Sequence, residues 1–160
     1  MKMRNISIPK KWTQIKNYIG GEWVEPATKK YLENFEPATG KVYGRIPASG
    51  DRDIDRAVKA AEEAFLNWSV LPAEERCRIM MKLADKMEER LDELAMAESV
   101  DTGKPLALAR TVDIPRAVSN FRFFATSAVH SSSESHSQKR VMLNYTLRHP
   151  LGVVGLISPW

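Results

Sequence analysis

Residue types that often do chemistry are few in this chain. Its single cysteine, Cys77, lies between two arginines and at helical spacing from Met80 and Ala84, a setting typical of a partly buried and unreactive thiol. The three histidines lack the sequence context of a zinc site. They are His130, His136 and His149. We therefore expect none of these side chains to be catalytic.

Two other patterns could contribute to a binding site. Glu98 and Asp101 lie near the end of a helical stretch, where the helix dipole disfavours carboxylates. They are either a solvated pair or a group with a cation-binding or hydrogen-bonding role. Gly152 and Gly155 flank two valines, but G-x-x-G is not the dinucleotide motif G-x-G-x-x-G. This pair of glycines therefore indicates only that another segment packs closely against this part of the chain.

The segment that follows an N-terminal tail, residues 1–17, carries the signals of two small β-hairpins. Gly20-Gly21 predicts a two-residue turn between short apolar runs, and the stretch from Pro37 to Gly40 predicts a second turn. An isolated hairpin is marginally stable in water, so residues 18–48 need a surface to lie against.

From residue 49 to residue 130 the apolar period changes to that of a helix, which predicts a helical layer. The first helix has either Ser49 or Asp51 as its N-cap. The second begins with Pro72 in its first turn, and its pattern stops at Gly103.

The second helical stretch is longer than average, so a break near Arg90 is an alternative to one long helix. A last helix is predicted to start with Asp113 as its cap and Pro115 in its first turn. We interpret its apolar side as core packing in preference to a cofactor contact. That side consists of Ala117, Phe121, Phe124, Ala125 and Ala128.

The last part of the chain is predicted to form an arm and a buried strand. A serine-rich connector after His130 has no core-forming residues, and it leads to a strand in which Val141, Leu143, Tyr145 and Leu147 share one apolar face. We expect this arm, residues 131–149, to contact another chain. Residues 150–160 contain the apolar run L-G-V-V-G-L-I, typical of a strand buried on both faces.

Composition limits the classes of protein to which the chain can belong. Its 160 residues are 43% hydrophobic and 28% charged, which is typical of a globular protein of one-domain size. We expect no membrane span, no secretory signal and a cytoplasmic location, and one cysteine agrees with a reducing compartment. The net charge of +4 includes a basic cluster near the N-terminus, which we interpret as a solvated face and not as a nucleic-acid site.

The order of several motifs resembles the N-terminal part of the NAD(P)-dependent aldehyde dehydrogenase superfamily. These motifs are Y-I-G-G-E-W-V, N-F-E-P-A-T-G-K-V-Y-G-R-I-P, D-I-D-R-A-V-K-A-A-E-E-A-F-L-N-W, E-S-V-D-T-G-K-P and R-H-P-L-G-V-V-G-L-I-S-P-W. The stretch L-A-L-A-R-T-V-D-I-P-R-A-V-S-N-F-R-F-F-A further resembles the branch that acts on aminomuconate and hydroxymuconate semialdehydes. The resemblance implies an α/β fold, of which this chain holds the hairpins, a helical layer, an oligomerisation arm and the first strand of the dinucleotide-binding sheet.

The same resemblance implies the site residues. It places the family's asparagine, catalytic cysteine and general-base glutamate outside this sequence, so that no catalytic residue is expected here. It implies that the end of the last strand lines the site of NAD or NADP. The residues concerned are Leu156, Ile157, Ser158, Pro159 and Trp160. In some relatives a monovalent cation is held through carbonyl and carboxylate oxygens at positions that match Asn34, Phe35 and Asp101.

Two functional hypotheses follow. The first is that the chain is a piece, inactive on its own, of a homodimeric or homotetrameric enzyme that oxidises an aldehyde to a carboxylic acid. The second is a stand-alone, non-catalytic module that assembles through its arm. The apolar run in residues 150–160 favours the first, because a stand-alone module is expected to cover such a strand.

Overall fold

The chain begins with two antiparallel hairpins in the computed structural model, which describes residues 13–139 and 141–158. The first hairpin joins β1 (Asn17–Ile19) to β2 (Glu22–Val24). Its turn residues, Gly20 and Gly21, have φ angles of +61° and +87°, a conformation that glycine adopts without steric cost. The predicted first hairpin is confirmed.

The second hairpin joins β3 (Tyr31–Glu36) to β4 (Lys41–Pro47), also as predicted. Its register is interrupted, because Asn34 lies opposite Gly44 while Phe35 lies opposite Val42. Tyr43 is therefore the extra residue of a β-bulge. A bulge bends the strand and changes the direction of its side chains, and this one lies at the polar cluster described below.

Helix α1 (Asp51–Trp68) follows, and its N-cap is Gly50 instead of the predicted Ser49 or Asp51. Its capping group comes from inside the helix, since Asp53 Oδ2 accepts a hydrogen bond from the Gly50 backbone N–H at 3.2 Å. A carboxylate at the third helical position satisfies the cap in this way without a hydroxyl at the cap itself.

The second helical stretch divides, as one of the two alternatives predicted, into α2 (Ala73–Glu89) and α3 (Leu91–Thr102), with Arg90 between them. Pro72 precedes α2. Gly103 ends α3 in the left-handed conformation, with φ of +75°, which confirms the predicted stop.

The predicted boundary of the last helix at Asp113, with Pro115 in its first turn, is confirmed, but Asp113 does not cap that helix with its side chain. A short α4 (Leu106–Leu108) runs through a π-helical turn (Ala109–Asp113) directly into α5 (Ile114–Val129). Asp113 has helical backbone angles and makes no capping bond. Its carboxylate instead accepts a hydrogen bond from Lys104 Nζ at 3.0 Å, so the chain continues as a helix through this residue.

The core of the described residues is built from small side chains. Helices α2 and α5 pack against each other, and the buried apolar residues are Ala84, Ala95, Val100, Ala109, Val118 and Ala125.

The aromatic residues that were predicted to pack in the core on α5 are only partly buried. Phe121 is half-buried, but the side chain of Phe124 is 64% exposed and meets Phe123 edge to face at 5.2 Å. Close helix packing through alanines leaves these larger rings at the margin.

The arm is a hairpin of its own, in which β5 (Ser135–Gln138) pairs with β6 (Met142–Tyr145). The serine-rich stretch is therefore not a structureless connector, because part of it forms the partner strand of β6. Ser137 and Ser135 lie opposite Leu143 and Tyr145. Both strands are exposed along their whole length.

The strand predicted within residues 150–160 is absent from the described part, residues 150–158, which has no regular secondary structure. A strand requires a hydrogen-bonded neighbour, and the described sheets are the three separate hairpins. Pro159 and Trp160 lie outside the described residues. In the described ranges no helix combines the length and apolarity needed to cross a bilayer.

Candidate functional site

Three polar side chains meet between the second hairpin and α3. The Tyr43 hydroxyl donates a hydrogen bond to Asp101 Oδ1 at 2.6 Å, and the Asn34 amide nitrogen donates to the same oxygen at 2.9 Å. Asn34 Nδ2 also lies 2.8 Å from the Tyr43 oxygen. We call Asn34, Tyr43 and Asp101 the Asp101 cluster. It joins residues that are 58 and 67 positions apart in the sequence.

The local backbone explains how the cluster forms. The bulge lets two nearby positions of opposite strands, Asn34 and Tyr43, present their side chains to the same carboxylate. Asp101 lies in the last turn of α3, just before Gly103. A Cβ atom built on Gly103 would lie 2.9 Å from Pro37 Cβ, so glycine is needed for the close approach of the helix end to the hairpin turn.

Burial and the Asp101 carboxylate change the acidity of Tyr43. Burial is the larger cause, followed by the hydrogen bond to Asp101 and its negative charge, and all three raise the pKa of Tyr43 well above the usual tyrosine range. The phenol is therefore a hydrogen-bond donor at physiological pH.

A second charged group borders the cluster. Lys104 Nζ lies 2.8 Å from Glu98 Oε1 and 3.0 Å from Asp113 Oδ2, so one ammonium joins the end of α3 to the π-helical turn. The hydrogen bond to Glu98, then the one to Asp113, raises the pKa of Lys104. Glu98 is thus paired in this chain, and only Asp101 of the predicted carboxylate pair belongs to the cluster.

The cluster forms the polar wall of a cavity of about 620 Å³ between the hairpin and α3. Asn34, Tyr43, Glu98 and Asp101 lie on its polar side. Apolar side chains complete the lining, namely Ile15, Ile46, Leu94, Ala97 and Ile114. The arrangement provides hydrogen-bonding groups at one side of an apolar depression.

The cation positions implied by the resemblance stay a prediction. The side chains of Asn34 and Asp101 meet, and Phe35, which follows Asn34 in β3, is 51% exposed. No group of three or more histidine, cysteine, aspartate or glutamate side chains suited to a metal ion occurs in residues 13–139 and 141–158.

The residues expected near a cofactor lie at the other end of the chain. Leu156 and Ile157 are 90% and 99% exposed, and Ser158 is also exposed. Just before them, Val153 and Val154 line a cavity of about 500 Å³ with Val58, Phe65 and Leu66 of α1. Because the described residues cover this segment from one side at most, they do not enclose a dinucleotide by themselves.

Comparison with known proteins identifies the family. The model of the aldehyde dehydrogenase family matches residues 23–160. The chain belongs to the aldehyde dehydrogenase family. Over 147 residues it is 49% identical to human 2-aminomuconic semialdehyde dehydrogenase, a match that covers 91% of this chain and 30% of the human protein.

Solved aldehyde dehydrogenase structures share the fold. HpcC from Thermus thermophilus superposes with a TM-score of 0.82 at 37% identity, over 86% of this chain and 27% of that one. The NAD+ complex of aldehyde dehydrogenase from Bacillus cereus superposes with a TM-score of 0.78 at 36% identity, over 82% and 27%. The mixed α/β class inferred from the sequence is confirmed, and the chain spans less than a third of the length of these relatives.

The residues first considered for chemistry stay apart in this chain. Cys77 is half-buried in α2, while His136 lies in the exposed hairpin 3.6 Å from Glu134. His130 is the C-cap residue of α5, directly after Val129. Nothing in the described contacts brings a histidine to the thiol, and the absence of a catalytic residue from this chain stays a prediction.

Sequence reasoning missed two residues, Tyr43 and Asp53. The sequence could not predict that Tyr43 belongs to the cluster, because its position depends on a β-bulge for which the sequence has no recognisable signal. Asp53 is 3% exposed and accepts backbone hydrogen bonds from Gly50 and Ala27. The sequence signal for Asp53 was weak, since a capping box is typically a serine or threonine followed three residues later by glutamate or glutamine, and Gly50 with Asp53 does not match that pattern.

Proposed function

We propose that this chain forms the N-terminal part of an NAD(P)-dependent aldehyde dehydrogenase that oxidises an aldehyde to a carboxylic acid. The observation that carries the proposal is the 49% identity over 147 residues to human 2-aminomuconic semialdehyde dehydrogenase. A relationship of this closeness, together with the family match, supports a common reaction more strongly than a shared fold alone.

The substrate class that we propose is a muconic semialdehyde. Relatives with the name 2-aminomuconic semialdehyde dehydrogenase from human and zebrafish are 49% and 46% identical to this chain. An acetaldehyde dehydrogenase from Cupriavidus necator is 42% identical, so the preference is supported by a modest margin in sequence identity.

This chain's own contribution is proposed to be structural. In the complete reaction a thiolate attacks the aldehyde, and the cofactor when bound accepts a hydride. We propose that the nucleophile, the base and the oxyanion donors are supplied by sequence other than these 160 residues. The hairpins, the helices and residues 150–158 would then form one wall of the enzyme, with residues 156–160 beside NAD or NADP.

The exposed arm supports the assembly part of the proposal. In β6, Leu143 and Tyr145 point to one side and are each 63% exposed, which is a large apolar area for an isolated hairpin. We propose that this face packs on another subunit in a homodimer or homotetramer. A cytoplasmic location is proposed on the basis of the single cysteine.

A chimaera tests the proposed function. The matching region of human 2-aminomuconic semialdehyde dehydrogenase is replaced by this chain, and NADH or NADPH formation is measured with 2-hydroxymuconic semialdehyde and with acetaldehyde. We expect turnover of the muconic semialdehyde at a higher kcat/KM than acetaldehyde. A chimaera with the parent's mass and circular dichroism but no turnover of either aldehyde would contradict the proposal.

The chain alone provides the matching negative test. We expect the purified 160-residue protein to oxidise neither aldehyde, and we expect the Cys77→Ala chimaera to be as active as the unsubstituted chimaera. Turnover by the 160-residue protein that Cys77→Ala abolishes would make Cys77 the nucleophile and overturn the structural role.

A further inference from the structure

The basic residues near the N-terminus are matched by an acidic surface on α3. This helix carries four acidic side chains and no basic one within Leu91–Thr102. Residues 1–12, which lie outside the described residues, contain four basic side chains and no acidic one. The acidic residues are Asp92, Glu93, Glu98 and Asp101, and the basic ones are Lys2, Arg4, Lys10 and Lys11. The two segments are therefore complementary in charge.

Asp101 differs from the other three carboxylates of α3 in its partners. Those three are paired with cations of the described residues, namely Asp92 with Arg110, Glu93 with Arg90 and Glu98 with Lys104. Asp101 makes no ion pair within residues 13–139 and 141–158, and its Oδ1 accepts hydrogen bonds from the neutral side chains of Asn34 and Tyr43 at 2.9 and 2.6 Å. Neutral donors do not cancel the charge of a carboxylate, so Asp101 still attracts a cation from elsewhere in the chain.

The described part of the chain starts at the wall of the cavity that Asp101 borders. The Thr13 carbonyl accepts a hydrogen bond from the Arg45 N–H at 3.0 Å, and the Ile15 N–H donates to the Arg45 carbonyl at 2.9 Å. These bonds hold residues 13–15 against β4. Ile15 lines the cavity of about 620 Å³ together with Tyr43 and Asp101. Residues 1–12 are therefore tethered at the edge of this cavity.

The tether makes weak contacts sufficient for docking. Twelve residues reach at most about 40 Å when fully extended, which exceeds what is needed to cross the cavity. A short tether also turns binding into an intramolecular event, with an effective concentration in the millimolar range. Contacts too weak to join two separate molecules can therefore hold this segment in place.

The apolar residues of the segment match the rest of the lining. The apolar wall of the cavity includes Ile46, Leu94 and Ile114. Ile6 and Ile8 are two positions apart, so an extended segment would present both side chains on the same face. Neighbouring apolar and basic residues thus fit a depression that has one apolar and one acidic side.

We infer that residues 1–12 dock into this cavity, with Ile6 and Ile8 on its apolar wall and the ammonium groups of Lys10 and Lys11 toward Asp101. The contact covers the depression and holds the N-terminal segment on α3. It gives the basic cluster, which was expected to be a solvated face, a partner within the same chain. The inference does not depend on the reaction proposed above.

Zero-length cross-linking tests this docking in the 160-residue protein. A water-soluble carbodiimide joins a lysine amine to a carboxylate when the two groups are in contact, and mass spectrometry identifies the joined peptides. We expect a cross-link from Lys10 or Lys11 to Asp101. Lys16 provides the internal standard, because its Nζ lies 3.7 Å from Glu25 Oε1.

Two carboxylate variants show whether the cross-link is specific. Asp101→Asn should lose the cross-link of Lys10 and Lys11 and keep that of Lys16. Asp55→Asn, which removes an exposed carboxylate of α1, should keep both. A wild-type sample that forms the Lys16–Glu25 link but none from Lys10 or Lys11 to Asp101 would overturn the inference.

Isotope mixing distinguishes the same chain from a second copy. Equal amounts of protein labelled with ¹⁴N and ¹⁵N are cross-linked together, and we expect light–light and heavy–heavy products for Asp101. A light–heavy product as abundant as these would mean that a second copy fills the cavity, and it would overturn the inference.

Hydrogen exchange provides a readout that does not depend on lysine chemistry. Lys10→Glu combined with Lys11→Glu would repel the segment from α3, and we expect the amides of residues 91–102 to exchange several-fold faster than in the wild type. Lys29→Glu combined with Lys30→Glu is the matched control, since both lysines are exposed in the loop before β3. Equal exchange of these amides in the two double variants would contradict the docking.

Discussion

Asp53 accepts the backbone N–H of Ala27 through both carboxylate oxygens, at 2.9 and 3.2 Å, although the two residues are 26 positions apart. The same carboxylate accepts the Gly50 N–H, and the residue is 3% exposed. One side chain therefore caps α1 and ties the loop after the first hairpin to the start of that helix. Because that loop and the cap share one acceptor, the position of the hairpin is coupled to the helix start.

We expect Asp53→Ala to lower the free energy of unfolding by about 1–3 kcal/mol, because it leaves the backbone N–H groups of Ala27 and Gly50 without their acceptor and removes the helix cap. Asp53→Asn should lose less, since its amide oxygen still accepts one bond. Urea unfolding followed by circular dichroism measures both. The exposed neighbour Asp55→Ala is the control, and an equal loss in that variant would contradict the assigned role.

Gly103 should not tolerate a side chain for two separate reasons. Its φ of +75° is costly for any other residue, and a new Cβ would lie 2.9 Å from Pro37 Cβ. Gly40 has a similar φ of +66° but open space around it. We expect Gly40→Ala to lower the free energy of unfolding by about 1 kcal/mol and Gly103→Ala by about 2–3 kcal/mol. Equal losses would show that the contact with Pro37 adds nothing.

The stability contributed by Lys104 should depend on pH in a defined direction. Its pKa is raised in the folded state by Glu98 and Asp113, so the folded protein holds this proton more tightly than the unfolded chain. The contribution is complete at neutral pH and is lost as the pH rises through and above the ordinary lysine value of 10.5. Lys104→Met should therefore be less stable than the wild type at neutral pH, with a difference that shrinks above that value.

Titration of urea midpoints with pH measures this difference. Lys82→Met, which removes a charge from the exposed face of α2, should give a pH profile parallel to that of the wild type. A wild-type advantage over Lys104→Met that stays constant across the lysine titration range would contradict the assignment of the ion pairs.

The sequence predicted correctly those turns and helix ends that depend on the backbone preference of a single residue. The two glycines of the first turn, the proline before α2 and Gly103 after α3 act through their own backbone preferences, and the structure follows each of them. The last helix begins directly after Asp113 as predicted, but the capping role of Asp113 was wrong, because its side chain has another partner, Lys104, in the preceding loop. A cap preference cannot reveal such a partner.

The candidate site was only partly predictable for the same reason. Asn34 and Asp101 were identified through family resemblance, but Tyr43 joins them through a one-residue shift in register. The strand predicted within residues 150–160 is absent from residues 150–158 for a different reason. An apolar run indicates that a segment is buried, but a strand also requires a hydrogen-bonded neighbouring strand. The described residues do not supply one.

The apolar face of the arm should be required for assembly. In the chimaera, Leu143→Asp combined with Leu147→Asp would place unpaired charge in the proposed contact, and we expect the dissociation constant of the oligomer to rise roughly 100-fold, equivalent to about 3 kcal/mol. Light scattering at several concentrations measures the mass. Asn144→Asp adds a charge to the other face of β6 and should change the mass little. An unchanged mass for the double variant would exclude the arm as an essential contact.

We expect the exposed apolar side chains of residues 151–157 to make the 160-residue protein self-associate. Leu156 and Ile157 are among the most exposed apolar residues. Burying either side chain would stabilise the protein by roughly 1.5–3 kcal/mol. We expect the protein to bind a hydrophobic dye and to self-associate.

Substitution and hydrogen exchange together assign this behaviour to the segment. Leu156→Ser with Ile157→Ser should reduce dye fluorescence strongly, whereas Val70→Ser, which removes one isolated exposed side chain, should change it little. In the chimaera, where further sequence can supply a neighbouring strand, the amides of Val153 to Leu156 should exchange at least 100-fold more slowly than in the 160-residue protein, a difference of about 2.7 kcal/mol in opening free energy. Strong protection of these amides in a monomeric 160-residue protein would mean that the segment is already covered. The stand-alone module would then explain the chain better than a part of a larger enzyme.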